Sequence, residues 1–255
     1  MRQPGKNRQG ENRRRGRTRT LKTLERVISR AGLASRRVAR RWIQEGKIVV
    51  NGEIVRHTDQ WVDLERDRIT VNGKPLQSAA KSYILLYKPT GYVTTYRDPQ
   101  GRPTVYDLVS DAGTWVAPVG RLDLETSGLL MMTNDTDFAD RITNPEHKVA
   151  KTYLIKAATR LSDEQLEQLA KGVTLRDGPT RAAQVQRLRD GPRHTFLELT
   201  ITEGRNRQVR RMIEAVGSRV LKLVRTGIGP LRIGRLQIGK WRRLEEQEVR
   251  TLAGL

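Results

Sequence analysis

The apolar residues of this chain lie in short runs with short polar connections, and this spacing limits the folds open to it. Six runs have the length and the β-branched or aromatic content of strands: Tyr83–Tyr87, Trp115–Val119, Leu129–Thr133, Thr152–Ala157, Phe196–Thr202 and Val220–Val224. Three stretches have helical spacing: Asp137–Ile142, Ser162–Lys171 and Asn206–Val216. Because strands outnumber helices and many links are short, we expect an α+β fold with a largely antiparallel sheet.

One acidic residue stands on a short connection between two of these runs. Trp115–Val119 leads into Gly120-Arg121-Leu122-Asp123, and an apolar stretch from Gly128 to Thr133 follows. A side chain on such a connection is held by rigid scaffold on both sides, which suits chemistry. An acid on a tight turn is often only structural, but in a strongly basic chain a positioned carboxylate suggests catalysis on a polyanion.

The rest of the chain is basic, and its charge is unevenly placed. Its 49 lysine and arginine residues against 28 aspartate and glutamate residues give a formal net charge of +21. Such an excess usually marks a polyanionic partner, with nucleic acid first, although a merely soluble basic protein is the alternative. Residues 1–20 hold eight basic residues, one acidic residue and almost nothing to bury, so we expect a disordered basic arm. This arm either contacts RNA or is a solvated tail without a role.

Composition excludes several kinds of chemistry. The chain has no cysteine, which rules out disulfides, a thiol nucleophile and thiolate-bound zinc. His57, His147 and His194 are far apart and lack a metal-binding spacing, so we expect neither a metal nor a cofactor. The apolar runs fall far short of the roughly 20 residues of a membrane helix, and the charged N-terminus has no apolar core behind it. We therefore expect no membrane contact and a cytoplasmic location.

Residues 23–76 have a pattern of their own. Their apolar positions predict a helix that stops near Gly32, and Ser35 offers the N-cap of a second helix, 36–45, which Gly46 ends. Two β-branched segments follow, and each runs into an Asn-Gly pair, a strong signal for a tight turn. The second helix carries four arginines that share two faces through a spacing of four residues: Arg36 with Arg40, and Arg37 with Arg41.

This segment resembles the S4 RNA-binding domain in its helix pair, the Ser-Arg-Arg start of its second helix and its Gly-Lys-Ile-Val-Val-Asn-Gly ending. The resemblance implies a small RNA-binding domain over residues 21–76, a polar linker at 77–81 and a second domain at 82–255. It implies that RNA lies against the second helix and contacts Ser35, Arg36, Arg37, Arg40 and Arg41. A solvated helix face is the alternative. A helix-turn-helix DNA reader is disfavoured, because its recognition helix would be followed by more helix.

Four short motifs in the second domain carry side chains that could do chemistry. They are Tyr87-Lys88-Pro89-Thr90-Gly91, Gly120–Asp123, Lys151-Thr152-Tyr153 and the segment from Glu203 to Met212. The first ends a strand-like run, and either a plain turn or a structural role near a site accounts for it. The last opens a helix with Asn206 as its expected N-cap. Its Arg210 lies at the edge of the apolar stripe, where the stem can be buried while the head points into a cleft.

Together these motifs resemble the bacterial ribosomal-RNA pseudouridine synthases that carry an N-terminal S4 domain. The similarity spans residues 23 to about 245. Its most specific parts are Arg-Leu-Asp with Thr-Ser-Gly-Leu-Leu downstream, and Glu-Gly-Arg-Asn-Arg-Gln-Val-Arg-Arg-Met. Tyr87 stands where many relatives have asparagine. The resemblance implies a mixed, largely antiparallel catalytic domain that converts uridine into pseudouridine without a metal or a cofactor.

The resemblance also implies a role for each matching residue. Asp123 starts the isomerisation, either by covalent addition or by removal of a ribose proton. Tyr153 stacks on the target uracil, Arg210 pairs with the aspartate, and Arg121 helps to displace the nucleotide from its helix. Further RNA contacts are expected from Lys88, Arg205, Arg207 and Arg211. The physics is consistent, because moving a glycosidic bond from nitrogen to carbon needs a held carboxylate and no electron carrier.

These features predict an isomerase that acts as a monomer on ribosomal RNA or on an assembling ribosomal subunit. The stretches 98–105 and 173–179 are closer to the large-subunit branch, so we expect a uridine of 23S ribosomal RNA, with the small-subunit 16S RNA as the alternative. A non-catalytic RNA-binding or ribosome-assembly factor would account for the charge and the S4-like segment alone. A base methyltransferase is disfavoured, because no glycine-rich loop joins a strand to a helix.

Overall fold

The computed structural model describes residues 21–64, 66–77 and 80–254. The expected basic arm, 1–20, therefore lies outside the described residues, as does part of the expected linker, 77–81. The described part forms a small N-terminal unit and a larger unit built on a mixed sheet, each with its own apolar core. This is an α+β fold, as the short apolar runs predict.

The N-terminal unit packs two short helices on a four-stranded sheet. Its elements are β1 (Lys22–Thr23), α1 (Leu24–Arg30), α2 (Arg36–Gln44), β2 (Ile48–Val50), β3 (Glu53–Val55), β4 (Trp61–Val62), β5 (Ile69–Val71) and β6 (Lys74–Pro75). The apolar faces of the helices meet the sheet in a core that buries Ile28, Ile43 and Ile48 completely. Ser35 caps α2 as expected, since its hydroxyl accepts a hydrogen bond from the Val38 N–H at 3.2 Å.

Both Asn-Gly pairs of this unit form the predicted tight turns. Asn51-Gly52 joins β2 to β3, and Asn72-Gly73 joins β5 to β6, with positive φ at all four residues. Positive φ at both central positions is the geometry of a two-residue hairpin turn, and asparagine and glycine tolerate it best. The strands follow the order β3-β2-β5-β6 and pair antiparallel.

The larger unit is a nine-stranded sheet with helices packed on it. Its helices are α3 (Thr136–Thr143), α4 (Asp163–Lys171), α5 (Gln208–Ala215) and α6 (Glu246–Ala253), with a short 3-10 helix at Pro145–His147. Its strands are β7 (Tyr83–Lys88), β8 (Ala117–Pro118), β9 (Ser127–Thr133), β10 (Lys151–Ala157), β11 (Thr174–Leu175), β12 (Gly178–Pro179), β13 (Gln184–Asp190), β14 (Thr195–Ile201), β15 (Val220–Ile228), β16 (Leu231–Arg232) and β17 (Trp241–Arg243).

The main path of this sheet is β13-β14-β10-β15-β9-β7-β17, with β8 added to β9 and β16 added to β15. The strands β11 and β12 form a separate hairpin. Among the described strands, the β15–β9 pair is parallel and the other pairs are antiparallel. The sheet is therefore largely antiparallel, as expected.

Strand β9 lies inside the larger unit and is buried on both faces. Leu129 and Met131 pack into the core beneath α3 and α6, whereas Leu130 and Met132 pack into the core on the opposite face. A strand buried on both faces has a continuous apolar sequence, which is the pattern found here. The strand thus anchors the loop that precedes it and carries Asp123.

One local expectation for this unit is only partly met. The run Trp115–Val119 is a strand over Ala117–Pro118 alone, and Pro118 has no N–H to extend a ladder. Val116 and Val119 are nevertheless buried, so the run is apolar because it fills the core rather than because it is a long strand. The strands β11, β12, β13, β16 and β17 and the helix α6 lie outside the predicted runs.

Helix α5 begins later than expected, and Asn206 is not its N-cap. The N-cap position is Arg207, whose φ of 47° is left-handed and whose side chain makes no capping bond. The side chain of Gln208 instead reaches back and accepts a hydrogen bond from the Arg205 N–H at 3.0 Å. This bond fixes the turn before the helix, where free N–H groups need partners.

The two units touch where the α1–α2 turn meets the segment before β8. The Trp115 N–H donates to the Gly32 carbonyl at 3.1 Å, and the Thr114 hydroxyl donates to the same oxygen at 3.5 Å. Arg30 at the end of α1 forms an ion pair with Asp137 on α3. These contacts join the turn before α2 to the larger unit.

Candidate active site

The loop that carries Asp123 is held by a buried lysine. Lys88, the last residue of β7, is 0% exposed, and its Nζ donates to the carbonyl oxygens of Pro89 at 2.9 Å, Asp123 at 3.0 Å and Thr126 at 2.8 Å. An ammonium group has three N–H donors, so all of them are used. Lys88 therefore fixes the backbone of Asp123 and the residues after it.

The expected RNA contact of Lys88 is wrong, because the side chain is inaccessible and has no free donor. Burial lowers the pKa of Lys88 to about 8; the charge of Asp123 opposes this shift, and that of Arg225 adds to it. Of the two interpretations of the Tyr87–Gly91 motif, the geometry supports the structural element near a site.

The Asp123 loop is also held by a threonine in the segment that follows β7. The Thr94 hydroxyl donates to the Leu122 carbonyl at 2.8 Å and accepts from the Leu122 N–H at 3.3 Å. The Gly91 N–H donates to the Leu124 carbonyl at 2.9 Å. The residues on both sides of Asp123 are therefore hydrogen-bonded to the segment that follows β7, which is the rigid support that a reacting group needs. Sequence reasoning missed Thr94, because a threonine in a polar loop carries no distinctive signal.

The loop opens into a cleft of about 350 Å³ between the loop, β10, β15 and α5. The cleft brings together the four residues expected there, and two further cations line it: Asp123, Arg121, Tyr153, Arg210, Lys151 and Arg225. Tyr153 on β10 is 9% exposed and Arg210 on α5 is 7% exposed, whereas Asp123 is half-buried and Arg121 is exposed. A half-buried acid beside a buried aromatic ring and several cations can act on an anionic, planar ligand.

Asp123 and Arg210 share the cleft but do not form the expected ion pair. Within the described residues, the carboxylate of Asp123 has no hydrogen bond and no ion pair, although its charge acts on Lys88. Arg210 donates to the Glu125 carbonyl at 3.1 Å and lies 3.7 Å from the Glu125 carboxylate, while its Nε has no partner among the residues described. The exposed Glu125 competes for this arginine because it is two residues from Asp123 on the same loop.

The other arginines of the Glu203–Met212 segment differ in whether their side chains already have partners within the protein. Arg211 forms a bidentate ion pair with Asp177 at 2.9 and 3.0 Å, and Arg205 donates to the Gly178 and Pro179 carbonyls. These two side chains tie α5 to the β11–β12 hairpin, although Arg205 also lines the cleft. Arg207 is exposed, lies 3.9 Å from Glu125 and stays a candidate for RNA contact.

The arginines of α2 are also unequal. Arg36 and Arg40 lie 3.2 and 3.5 Å from Glu25, a carboxylate that is 3% exposed. Arg41 lies 3.6 Å from Glu45. Arg37 is exposed and has no such partner among the described residues, so it is the most available of the four for an RNA phosphate.

Sequence reasoning missed Lys151 and Arg225 as cleft residues. Lys151 lies two positions before Tyr153 on β10, and residues two apart share a face of a strand, so the motif did contain a signal. Arg225 follows the apolar run Val220–Val224 inside β15, and a charged residue in a buried strand is rare unless it has a function. Its 4% exposure makes it a cation in the wall of the cleft.

Across the described ranges, no group of three or more histidine, cysteine, aspartate or glutamate side chains is placed to hold a metal ion. In the same ranges, no helix is long and apolar enough to cross a membrane.

Comparisons with known proteins agree with this geometry. Residues 82–215 match the family described as RNA pseudouridylate synthase, and residues 23–63 match the S4 domain. Ribosomal large subunit pseudouridine synthase B of Bacillus subtilis is 41% identical over 238 residues, which cover 92% of this chain and 97% of that protein. An uncharacterized RNA pseudouridine synthase of Aquifex aeolicus is 40% identical over 230 residues, which cover 90% and 92%. A crystal structure of a pseudouridylate synthase, 33% identical, superposes with a TM-score of 0.65 and covers 90% of this chain and 99% of its own.

Proposed function

Because the chain belongs to the RNA pseudouridylate synthase family, with an S4 domain at its N-terminal end, we propose that it isomerises a uridine of large-subunit ribosomal RNA to pseudouridine. The observation that carries the proposal is the clamped Asp123 loop, which opens into one cleft with Tyr153, Arg210 and Arg121. The enzyme works as a monomer in the cytoplasm, on free RNA or on an assembling subunit.

The reaction changes which atom of the base is bonded to the sugar, while the sugar atom C1′ stays the same. The bond between ribose C1′ and uracil N1 breaks, a bond between C1′ and uracil C5 forms, the C5 proton leaves and N1 gains a proton. Two first steps are open to the Asp123 carboxylate, namely addition to C1′ or removal of the C2′ proton. Either step needs an ionised, positioned carboxylate, and the hydrogen bonds of Lys88 and Thr94 to the loop supply the positioning.

The target nucleotide must leave its helix to enter the cleft. Unstacking it costs a few kcal/mol, which contacts to the flipped base offset. Tyr153 supplies a ring for the base to stack on, and Arg121 is exposed at the cleft, where it can fill the space that the nucleotide leaves. Arg210 is hydrogen-bonded to the Asp123 loop at Glu125, and we expect it to pair with the acid once Glu125 releases it.

Replacement of Tyr153 tests the stacking role. We expect Tyr153→Leu to lower kcat/KM for ribosomal RNA roughly 10- to 100-fold, since stacking of a base on an aromatic ring contributes about 1–3 kcal/mol. Tyr153→Phe keeps the ring and should retain most activity. The assay is release of tritium from C5-tritiated uridine, with circular dichroism to verify folding. Equal activity of the leucine and phenylalanine variants would contradict stacking.

Replacement of Arg37 tests RNA binding by α2. A phosphate contact releases counterions, so we expect Arg37→Gln to weaken RNA binding and to reduce the slope of log Kd against log salt by about one. The matched control is Arg219→Gln, which removes an exposed arginine next to β15 in the larger unit. Filter binding of a ribosomal RNA fragment over a salt series gives both slopes. If the slope of log Kd against log salt is the same for Arg37→Gln and the wild type, whatever their affinities, a phosphate contact is contradicted.

The large subunit is proposed on two grounds. The relative in Bacillus subtilis is named for the large subunit, as is one in Pseudomonas aeruginosa that is 36% identical over 239 residues. The stretches 98–105 and 173–179 support the same branch. Mapping pseudouridines in both ribosomal RNAs of a deletion strain tests it: one missing modification in the large-subunit RNA is expected, and a loss in the small-subunit RNA would overturn the target.

A non-catalytic assembly factor is the competing function. It would need the charge and the S4 domain, but it would have no need of the hydrogen-bonded Asp123 loop beside Tyr153. An Asp123 variant that makes no pseudouridine yet fully restores ribosome assembly would favour assembly as the main role.

A further inference from the structure

We infer that Lys151 and Arg225 form a binding site for the uracil ring in the anionic state that it has while it is detached from the sugar. The inference rests on the proposed function and goes beyond it, because it assigns a chemical task to two cations outside the expected Asp123, Tyr153 and Arg210 set. The ligand is a planar pyrimidine anion, and the site is the wall of the cleft formed by β10 and β15.

The strand register puts the two cations on either side of Tyr153. Lys151 and Tyr153 are two residues apart on β10 and so share a face, and Arg225 is the cross-strand partner of Tyr153 on β15. The register shifts between Thr152 and Tyr153, which leaves Thr226 as an extra residue on β15. Such bulges are frequent next to active sites, where they re-aim a side chain. Here the bulge brings Arg225 opposite the stacking ring.

Arg225 is buried and has no counter-ion in the part of the chain that the structure describes. Its Nε donates to the Leu129 carbonyl at 2.8 Å, and its NH2 nitrogen is buried with no partner among the described residues. Within those residues no carboxylate lies within ion-pair distance of it. Burial of this guanidinium, in a side chain that is 4% exposed, lowers the stability of the fold, because the group has lost water without gaining an anion. A ligand that brings negative charge to this wall recovers that cost.

Lys151 is likewise a cation in the cleft that has no anionic partner among the described residues. It is half-buried in the cleft, and within the described residues its ammonium makes no hydrogen bond and no ion pair. Burial, with a further contribution from the charge of Arg225, lowers the pKa of Lys151 to about 8. Two cations that repel each other in a cleft favour an anion between them.

The proposed reaction supplies such an anion. When the C1′–N1 bond breaks, its electron pair stays on the ring, and the charge spreads over N1, O2 and O4. The ring then turns so that C5 bonds to C1′, after which C5 loses its proton and N1 gains one. Donors preorganised where charge develops act strongly in a water-poor site. The other cations are less suited, since Arg210 is held by Glu125 and Arg121 is exposed.

A phosphate of the RNA could use the same charges, and kinetics separate the two ligands. A phosphate contact acts on binding, whereas a contact to the detached base acts on the rate of the bound complex. We place the base here because Arg225 is buried opposite Tyr153, deep in the wall, while the exposed Arg121 and Arg207 are accessible to phosphates.

The test compares Lys151→Met with wild type on two full-length large-subunit RNA transcripts, one with uridine and one with 5-fluorouridine throughout. Fluorine stabilises negative charge on the ring, so the fluorinated base leaves more easily and needs the cations less. Single-turnover formation of the C5-linked nucleoside is followed by chromatography after digestion; on the second transcript this product keeps its fluorine, because C5 has no proton to lose. On the uridine transcript we expect the rate of the variant to fall about 100-fold with Kd unchanged. On the 5-fluorouridine transcript we expect the fall in rate to be about tenfold smaller.

Three further proteins complete the test. Lys151→Arg keeps the charge and should recover most of the rate. Arg225→Lys should show the same pattern as Lys151→Met on the two transcripts, with a smaller loss of rate. Lys156→Met is the matched control, because it lies on the opposite face of β10 and should leave the rate unchanged. Equal losses on both transcripts, or a change in Kd alone, would overturn the inference. No conversion by wild type would instead defeat the proposed function, so the two failures are distinguishable.

Discussion

The Asp123→Asn variant is expected to release tritium from C5-tritiated ribosomal RNA at least about 10⁴-fold more slowly than wild type. Loss of a reacting group from a preorganised site commonly has an effect of this order. The amide is almost the same size as the carboxylate, but it can neither add to C1′ nor remove a ribose proton. The fold should survive, because within the described residues the Asp123 carboxylate makes no hydrogen bond or ion pair.

The matched control is Asp140→Asn. Asp140 is an exposed carboxylate on α3 in the same unit, so its loss removes the same charge away from the cleft. We expect its rate to equal that of wild type. A rate for Asp123→Asn within tenfold of wild type, in a protein with an unchanged unfolding transition, would remove Asp123 from the catalytic role.

The Lys88→Met variant is expected to lose both stability and rate. Methionine fills a similar volume but leaves the carbonyls of Pro89 and Thr126 without the ammonium donor, and the Asp123 carbonyl keeps only its bond from the Thr126 N–H at 3.1 Å. Each unsatisfied buried group costs about 1–3 kcal/mol, so the free energy of unfolding should fall by about 3 kcal/mol or more. The Asp123 loop should also loosen, and misplacement by 1 Å can lower a rate about 100-fold. Urea denaturation and tritium release measure the two effects.

Lys222→Met is the control for this variant. Lys222 is exposed on β15, so its replacement removes the same charge without unsatisfying a backbone carbonyl. It should change neither quantity appreciably. A Lys88→Met protein with wild-type stability and rate would show that the loop does not depend on the buried ammonium.

Much of the candidate site could be predicted from sequence because its parts are local motifs. Arg121 and Asp123 belong to one connection, and Tyr153 belongs to one strand start. The cleft brings both segments together with Arg210 of α5. The S4-like unit could also be predicted from sequence, since its Asn-Gly turns and the Ser35 cap depend on short-range geometry.

What sequence could not predict depends on contacts between distant segments. Lys88 follows an apolar strand and reads as an ordinary surface lysine, but its partners include carbonyls 35 and 38 residues away. Arg210 was expected beside Asp123, whereas Glu125 competes for it across 85 residues. Arg225 is a charged residue next to an apolar run, but its place opposite Tyr153 follows only from the pairing of β15 with β10. Side-chain partners of this kind are set by tertiary packing rather than by local pattern.

Tritium release with the purified protein on unmodified, C5-tritiated ribosomal RNA of each subunit measures both the isomerisation and the choice of RNA. Each isomerisation frees one C5 hydrogen, so the plateau counts the modified uridines. We expect release that stops at one equivalent per large-subunit RNA, and none from small-subunit RNA. Absence of release from both RNAs, by a folded protein that binds them, would contradict it.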